Sequence, residues 1–338
     1  MSTPSDPTCL LCGERDTVPI ADRDRDGRAL RTVMCAGCGL VRVDPLPSAE
    51  AMRAFYHLDY RQQYKGAFEP KPKHCHRETL RAIERAGRFL AAVPTPMRTL
   101  DVGAGAGFFA YVLKRAGVVI DGIEPNASYA AFARERLGLD RVRTGFLEDL
   151  PAHGQYDRIT LNHVLEHLRD PRAALRHLHA LLAPGGELLL EVPDIEATYH
   201  APGHLFHSGH LYWFNPVTIE ALALECGFEP RDRQQIPPTC HITLRLVRRE
   251  DALPPGRVAQ RLEGNAARVL AARRRHTALR HFLGVAPYQR AARKIAQYAR
   301  EQAAVRGSRR GRALCDALCD AWLARSTQAP SGHRAPTD

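Results

Sequence analysis

The chain lacks any apolar stretch long enough to span a bilayer, so no membrane-crossing helix is predicted. Its opening residues, M-S-T-P-S-D-P, have neither the basic start nor the apolar centre of a secretory signal, and the expected compartment is the cytoplasm. With no oxidising compartment expected, the nine cysteines are read as metal ligands or core residues, not as disulfides. Lysine is scarce beside arginine, a bias that genome composition explains as well as function does. What the chain does have is bulk. Its 338 residues, 44% of them hydrophobic, suffice for one large packed domain with smaller attachments.

The net charge of +11 is unevenly placed. Residues 248–338 hold 19 Arg and Lys against 7 Asp and Glu, a surplus of 12, so the first 247 residues stand near −1. The basicity belongs to the C-terminal segment.

The stretch that organises the rest is 100–109, L-D-V-G-A-G-A-G-F-F. An apolar run containing Asp101 leads into Gly103, Gly105 and Gly107 at alternate positions, and helix-forming residues follow from Phe108. This predicts a strand, a tight turn and a helix start. Glycine serves there because the backbone angles are unusual and a ligand must approach the main chain. The dinucleotide spacing G-x-G-x-x-G is absent. A second acid, Glu124, ends the next mostly apolar run just before Pro125, where a carboxylate can accept both hydroxyls of a ribose. A nicotinamide-dinucleotide fold is the alternative such a turn leaves open.

Cys9 with Cys12 and Cys35 with Cys38 form two C-x-x-C-G pairs, 22 residues apart. Each presents two thiolates from one tight turn, and four sulfurs suit tetrahedral zinc. The polar segment between the pairs predicts a hairpin in a small ribbon. Such a site is closed and structural.

Ser48 is placed to cap a short helix over 49–56. The aromatics Phe55, Tyr56, Tyr60, Tyr64 and Phe68 either cover an active-site mouth or pack between ribbon and core. Residues 71–76, K-P-K-H-C-H, read as a loop, followed by a helix over 77–92. Strands over 118–123, 142–144, 157–161 and 187–192 then alternate with helices over 128–137 and 172–182. The pattern predicts an α/β fold, a doubly wound, mostly parallel, Rossmann-like sheet with helices on both faces. Ligands bind outside the carboxyl ends of such strands, where Asp101, Glu124, Glu148, Asn162 and His163 fall.

Over 98–230 the D-V-G-A-G-A-G turn, the later acid, N-H-V-L-E-H-L-R-D-P and L-A-P-G-G-E-L-L-L-E-V-P-D resemble the class I S-adenosylmethionine (SAM) methyltransferases. The resemblance implies that Asp101, Gly103, Ala104, Gly105, Gly107 and Phe108 cradle the methionine part of SAM. It implies that Glu124, with Pro125, holds the ribose. In the F-L-E-D-L-P stretch, Phe146 would pack near adenine and Leu147 or Glu148 would make the polar contact. Asn162 and His163 would line the pocket. Many relatives place an acid directly after the glycine of that loop, where Gly145 is here followed by Phe146.

Residues 200–214, H-A-P-G-H-L-F-H-S-G-H-L-Y-W-F, carry four histidines, with His204, His207 and His210 at three-residue steps. No carboxylate stands beside them in sequence, so acid–base work is preferred to metal binding. Behind two cysteine pairs and a SAM domain, F-H-S-G-H-L-Y-W-F resembles the loop Y-H-E-H-L-S-Y-F of the zinc-bearing sugar C-methyltransferases. That resemblance implies His210 as the base and His167 as another pocket histidine, with His207 the nearest competitor. Gly209 stands where that loop has glutamate, and the chain is too short for that family's second α/β domain. O- or N-methylation fits as well. His167, four residues after His163, is either a pocket base or a capping and packing residue.

Residues 240–247 alternate as an antiparallel-type strand, and Pro254 with Pro255 marks a boundary. Two or three Ala- and Arg-rich helices are predicted over 257–323, with Cys315 and Cys319 on one buried face and 326–338 disordered. The expected organisation is a zinc ribbon at 1–45, bridging helices at 46–97, a SAM-binding domain at 98–250 and a basic helical extension at 251–325. The expected function is methyl transfer from SAM to a small molecule, a sugar or natural-product intermediate, phosphate- or nucleotide-linked. One alternative is a ribosomal RNA base methyltransferase. The ribbon is not strongly basic, and N-H-V-L stands where an N-P-P-Y-like motif would flip a base, so nucleic acid is not favoured. The other alternative is a non-catalytic SAM-binding scaffold.

Overall fold

The computed structural model describes residues 8–54, 70–90, 97–235, 241–306 and 311–328. Strands β1 (Thr17–Arg23), β2 (Ala29–Cys35) and β3 (Val41–Val43) come first. Five strands follow: β4 (Arg98–Val102), β5 (Val119–Glu124), β6 (Val142–Thr144), β7 (Tyr156–Asn162) and β8 (Leu182–Pro193). Then come β9 (Tyr212–Trp213), β10 (Phe228–Gln235) and β11 (His241–Arg248).

The large sheet has the order β10-β11-β8-β7-β4-β5-β6. Strands β8, β7, β4, β5 and β6 are parallel, while β11 runs antiparallel to both β8 and β10. Both faces are covered, so the central strands β4, β5 and β7 are mostly buried. Ile120 and Val142 pack with helices Pro72–Leu90, Phe108–Arg115 and Ala127–Leu137, and with Cys315 and Cys319 of helix Arg312–Gln328. Leu100, Val102, Ile159 and Leu161 pack with helices Pro171–Leu181 and Pro216–Glu225. The doubly wound sheet expected from the alternation is thus present.

Local signals start these helices where they begin. The Asn126 side chain accepts from Tyr129 N at 3.1 Å, and Asp170 from Ala173 N at 2.9 Å with Pro171 in the first turn. Ser48 accepts from Ala51 N at 3.1 Å and opens the short helix Ala49–Ala54. Residues 55–69 lie outside the described residues, and with them the five aromatics.

The small sheet, β1-β2-β3-β9, is the predicted hairpin with one distant strand added. Val41 pairs with Trp213 and Arg42 with Tyr212, so the cysteine-bearing turns are joined to the segment directly after the histidine loop. This pairing was not anticipated, nor was β10.

Several boundaries differ from expectation. Residues 72–76 are the first turns of helix Pro72–Leu90, not a loop. Pro72 is tolerated there because its missing N–H is unneeded in the first turn, and Cys75, Thr79, Ala82, Ala86 and Phe89 give one buried stripe. Strand β8 includes Pro184-Gly185-Gly186, which bulge out between the residues paired with β7, Leu182 and Glu187. His163 and His167 do not share a helical face: His163 has φ 55°, and only Leu165–His167 form a 3-10 turn. The basic tail breaks into five described helices: Pro255–Leu262, Asn265–Arg275, Ala278–Leu283, Ala286–Arg306 and Arg312–Gln328. The last continues past 326, where disorder was expected, and packs back on the core. Asp316 accepts from Tyr111 and Arg115, and Thr79 Oγ1 lies 3.2 Å from Cys315 Sγ.

Candidate active site

From β4 the chain winds outward through β5 to β6 on one side, while β7 and β8 lie on the other. The order reverses between β4 and β7, and a crevice opens there beyond the carboxyl ends. A cavity of about 820 Å³ occupies that place.

One end is built from the glycine turn. Gly103 N and Ala104 N donate to the Ile123 carbonyl at 2.9 and 3.1 Å, folding the turn over β5. Gly103 has φ 70°, and a Cβ on it would lie 2.4 Å from Val164 Cγ2, so only glycine fits. Gly105 N donates to Glu124 Oε2 at 2.7 Å, and Asn126 N to Glu124 Oε1 at 3.0 Å. Glu124 thereby ties the turn to the next helix. Two of a carboxylate's roughly four acceptor positions are used, leaving capacity for hydroxyl donors. Asp101 accepts from Thr160 Oγ1 at 2.7 Å, and complete burial pushes its carboxyl up to about 7.

Asp101, Gly103, Ala104, Gly105, Phe108, Glu124, Pro125, Leu147, Glu148, Asn162 and His163 all line the cavity. Gly107 does not. Its φ of 82° starts the helix, and a Cβ there would meet Leu139 Cδ1 at 2.6 Å and Ala133 Cβ at 2.8 Å. It is a close-packing glycine. Phe146 also faces the cavity, with the Arg53 guanidinium 4.8 Å from its ring centroid.

The other end is built from histidines. His163 Nε2 lies 2.9 Å from Glu191 Oε1, and its Nδ1 lies 3.3 Å from Glu166 Oε1. Burial works against the charged form of His163, but the two carboxylates outweigh it and lift it to about 9. Burial alone would raise Glu191, yet His163 and Arg85, which donates to it at 2.6 Å, hold it well below the usual carboxylate range. His167 Nδ1 meets the Gly209 carbonyl at 2.5 Å, and Gly209 N donates to His207 Nδ1 at 3.2 Å. The His207 and His210 rings lie 3.7 Å apart, and those of His167 and His210 4.8 Å apart. Burial, then His207 and His167, keep His210 well below the ordinary histidine value, so its ring is neutral at pH 7. Burial likewise pushes His207 down to about 3.

His167, His207 and His210 meet in one cluster. His204 does not join them; it is exposed at the mouth. The expectation that no carboxylate accompanies the loop is wrong, since Glu166 reaches it from the turn after β7. Glu166, Glu191, Arg85 and His241 went unnoticed in the sequence. The first stands beside His167 in E-H, but nothing in the sequence brings that pair to the histidine loop. The mouth is basic: burial, then Arg290, His204, Lys294 and Arg25, push His200 down to about 4.

The four cysteine sulfurs come together away from this cavity. Cys9 and Cys38 Sγ are 3.6 Å apart, Cys12 and Cys35 Sγ 3.4 Å, and all four lie within 4.8 Å. Zinc–sulfur bonds of about 2.3 Å put tetrahedral sulfurs roughly 3.7 Å apart, so the cluster fits zinc. The spacing is far from a disulfide's bond of about 2.05 Å.

Residues 70–232 match the family model described as a methyltransferase domain. The chain is similar to a ubiquinone biosynthesis O-methyltransferase of Xanthomonas axonopodis pv. citri, 34% identical over 103 residues, 29% of this chain and 43% of that one. It is also similar to one of Pseudomonas aeruginosa, 30% identical over 105 residues, 28% and 43% of the two chains. The chain thus spans less than half the length of these curated relatives. Among solved structures, the 1,6-didemethyltoxoflavin-N1-methyltransferase of Burkholderia thailandensis has TM-score 0.45 at 22% identity, over 63% of this chain and 95% of that one. Magnesium protoporphyrin IX methyltransferase of Synechocystis PCC 6803 has TM-score 0.45 at 16% identity, over 60% and 100%. Taken with the family match, the glycine turn and strand-end acids make residues 70–232 a class I SAM-dependent methyltransferase domain.

Proposed function

We propose that this chain is an enzyme that transfers a methyl group from SAM to a small-molecule acceptor. The observation that carries the reading is that one cavity joins the glycine turn and Glu124 to His210. The donor set suits SAM. Asp101 is a buried carboxylate for an ammonium, Glu124 has acceptor capacity for ribose hydroxyls, and Phe146 and Leu147 offer apolar surface to a base. Bound SAM supplies an electrophilic methyl carbon on its sulfonium.

The chain's own residues supply alignment and a proton acceptor. His210 is the group proposed to take the acceptor's proton. Its ring is neutral at pH 7, and His207 and His167 hold it in place by packing. The cationic mouth formed by Arg25, Arg290 and Lys294 favours an acceptor carrying phosphate, such as a nucleotide-linked sugar or a phosphorylated natural-product intermediate. Cys9, Cys12, Cys35 and Cys38 are proposed to hold one structural zinc.

Incubation with methyl-labelled SAM tests the reading, with phosphorylated and nucleotide-linked sugars and ribosomal RNA as rival acceptors. Label on a small molecule is expected. Label on the RNA alone would overturn it.

A further inference from the structure

The Glu166 side chain is completely buried. Its backbone is fixed beside the histidine loop, because Leu211 N donates to its carbonyl at 2.8 Å. Oε1 lies 3.3 Å from His163 Nδ1, 3.8 Å from His210 Nε2 and 3.9 Å from His167 Nε2. Among the described residues neither Oε2 nor His210 Nδ1 has a hydrogen-bond partner. A buried carboxylate oxygen without a donor is costly; His163 serves Oε1 alone, and a cation beside Oε2 removes that cost.

The tautomers point the same way. The Gly209 carbonyl can only accept, so His167 carries its proton on Nδ1 and presents the Nε2 lone pair toward Glu166. A histidine held by a backbone carbonyl through its far nitrogen is the usual arrangement behind a metal ligand. The same glycine's N–H is accepted by His207 Nδ1, which places His207's proton on Nε2 and makes it packing for the site, not part of it.

We propose that Glu166, His167 and His210 bind one divalent transition-metal ion at the histidine end of the cavity. Donor atoms from all three lie within 4.8 Å of one another. Zinc, with bonds of about 2.0–2.1 Å, sets tetrahedral donors roughly 3.3 Å apart, so the present 3.8 and 3.9 Å close with small side-chain movements. Two imidazoles and a carboxylate suit zinc or a similar borderline ion. Unlike the four-sulfur cluster, three ligands leave a position open to the cavity.

An acceptor hydroxyl bound there would release its proton to water near neutral pH, the O–H electron pair staying on oxygen. In the ion-loaded chain His210 is then a ligand, and the ion replaces it as the means of activating the acceptor. That use rests on the methyl-transfer reading; the site itself does not.

The test is zinc content of the whole chain, loaded with Zn²⁺ and freed of excess by gel filtration. Two ions per chain are expected in wild type and one in Glu166→Gln, with unchanged circular dichroism showing that the variant is folded. Cobalt loading of wild type gives a second reading should the variant fail to fold. The four-sulfur site shows thiolate charge-transfer bands, and a second cobalt should add only ligand-field bands. One ion per chain in wild type, with cobalt bound by sulfur alone, would overturn the proposal. Two ions retained by folded Glu166→Gln would do the same. None of these measurements depends on turnover, so they stand apart from any failure of the methyl-transfer reading.

Discussion

The two ends of the cavity are built in opposite ways. The glycine end is assembled from neighbours: one turn, two strand ends and the helix each introduces, with Glu124 tying Gly105 N to Asn126 N. The histidine end is assembled from strangers. Glu166 and His167 come from the turn after β7, His207 and His210 from a loop some 40 residues later, and β9, which closes that loop, belongs to the sheet of the cysteine ribbon. Short-range hydrogen bonds, from the backbone and to the Glu124 carboxylate, hold the first end together. The second end holds its shape only while three separate parts of the chain stay docked. Binding a shared cofactor suits the rigid end, and fitting a particular acceptor suits the assembled one.

The largest way to break this contrast is through the ribbon. Cys35→Ser with Cys38→Ser should remove the sulfur-bound zinc, with a loss of order 10 kcal/mol for a structural site of this kind. The histidine end should suffer most, because β3 pairs directly with β9. Elemental analysis, thermal unfolding and SAM calorimetry together check this. A folded variant with full zinc would remove the cysteines from the site, and SAM affinity lost before acceptor turnover would show the ribbon serving the wrong end.

The next effect is confined to the histidine end. His210→Ala should lower turnover by roughly 10²–10⁴-fold, about 3–5 kcal/mol of barrier, while SAM binds as before. Steady-state kinetics beside calorimetry separates the two. Full turnover would make His210 structural. At the glycine end the expectation is inverted. Glu124→Ala should weaken SAM about tenfold or more, because two hydrogen bonds to a charged acceptor are lost. Turnover at saturating SAM should change far less. Unchanged affinity would take Glu124 out of the cofactor site.

The same contrast explains what could be read in advance. The glycine turn, the strand-end acids and the alternating sheet are local patterns, each written in ten or so consecutive residues, and every cofactor-site residue named from them except Gly107 lines the cavity. Gly107 was misassigned because a glycine that clears a side chain and one that clears a ligand look alike in sequence. Glu166 was missed because its loop partner His210 lies more than 40 residues away in sequence, and a three-residue step among His204, His207 and His210 suggested a local cluster that the exposure of His204 breaks. The β3–β9 pairing had no signal at all: a two-residue strand is too short for any periodicity to show.

The smallest expected effect sharpens the glycine end by pH. Asp101 is raised to about 7 by burial, against an ordinary carboxyl near 3.8. A raised acid stabilises the fold fully below its unfolded value, and that contribution is lost as pH rises through about 7. An ammonium placed against Asp101 favours the ionised form, so below pH 7 a proton must leave when SAM binds. Affinity should therefore climb with pH by at most tenfold per unit up to about 7 and level off above it. Calorimetry between pH 5.5 and 8.5, in buffers of different ionisation heat, would show both the slope and the released proton. In Asp101→Asn the affinity should be lower and flat across the range. A flat profile in the wild type would mean that the methionine ammonium lies elsewhere, and the rigid end would then rest on Glu124 and the turn alone.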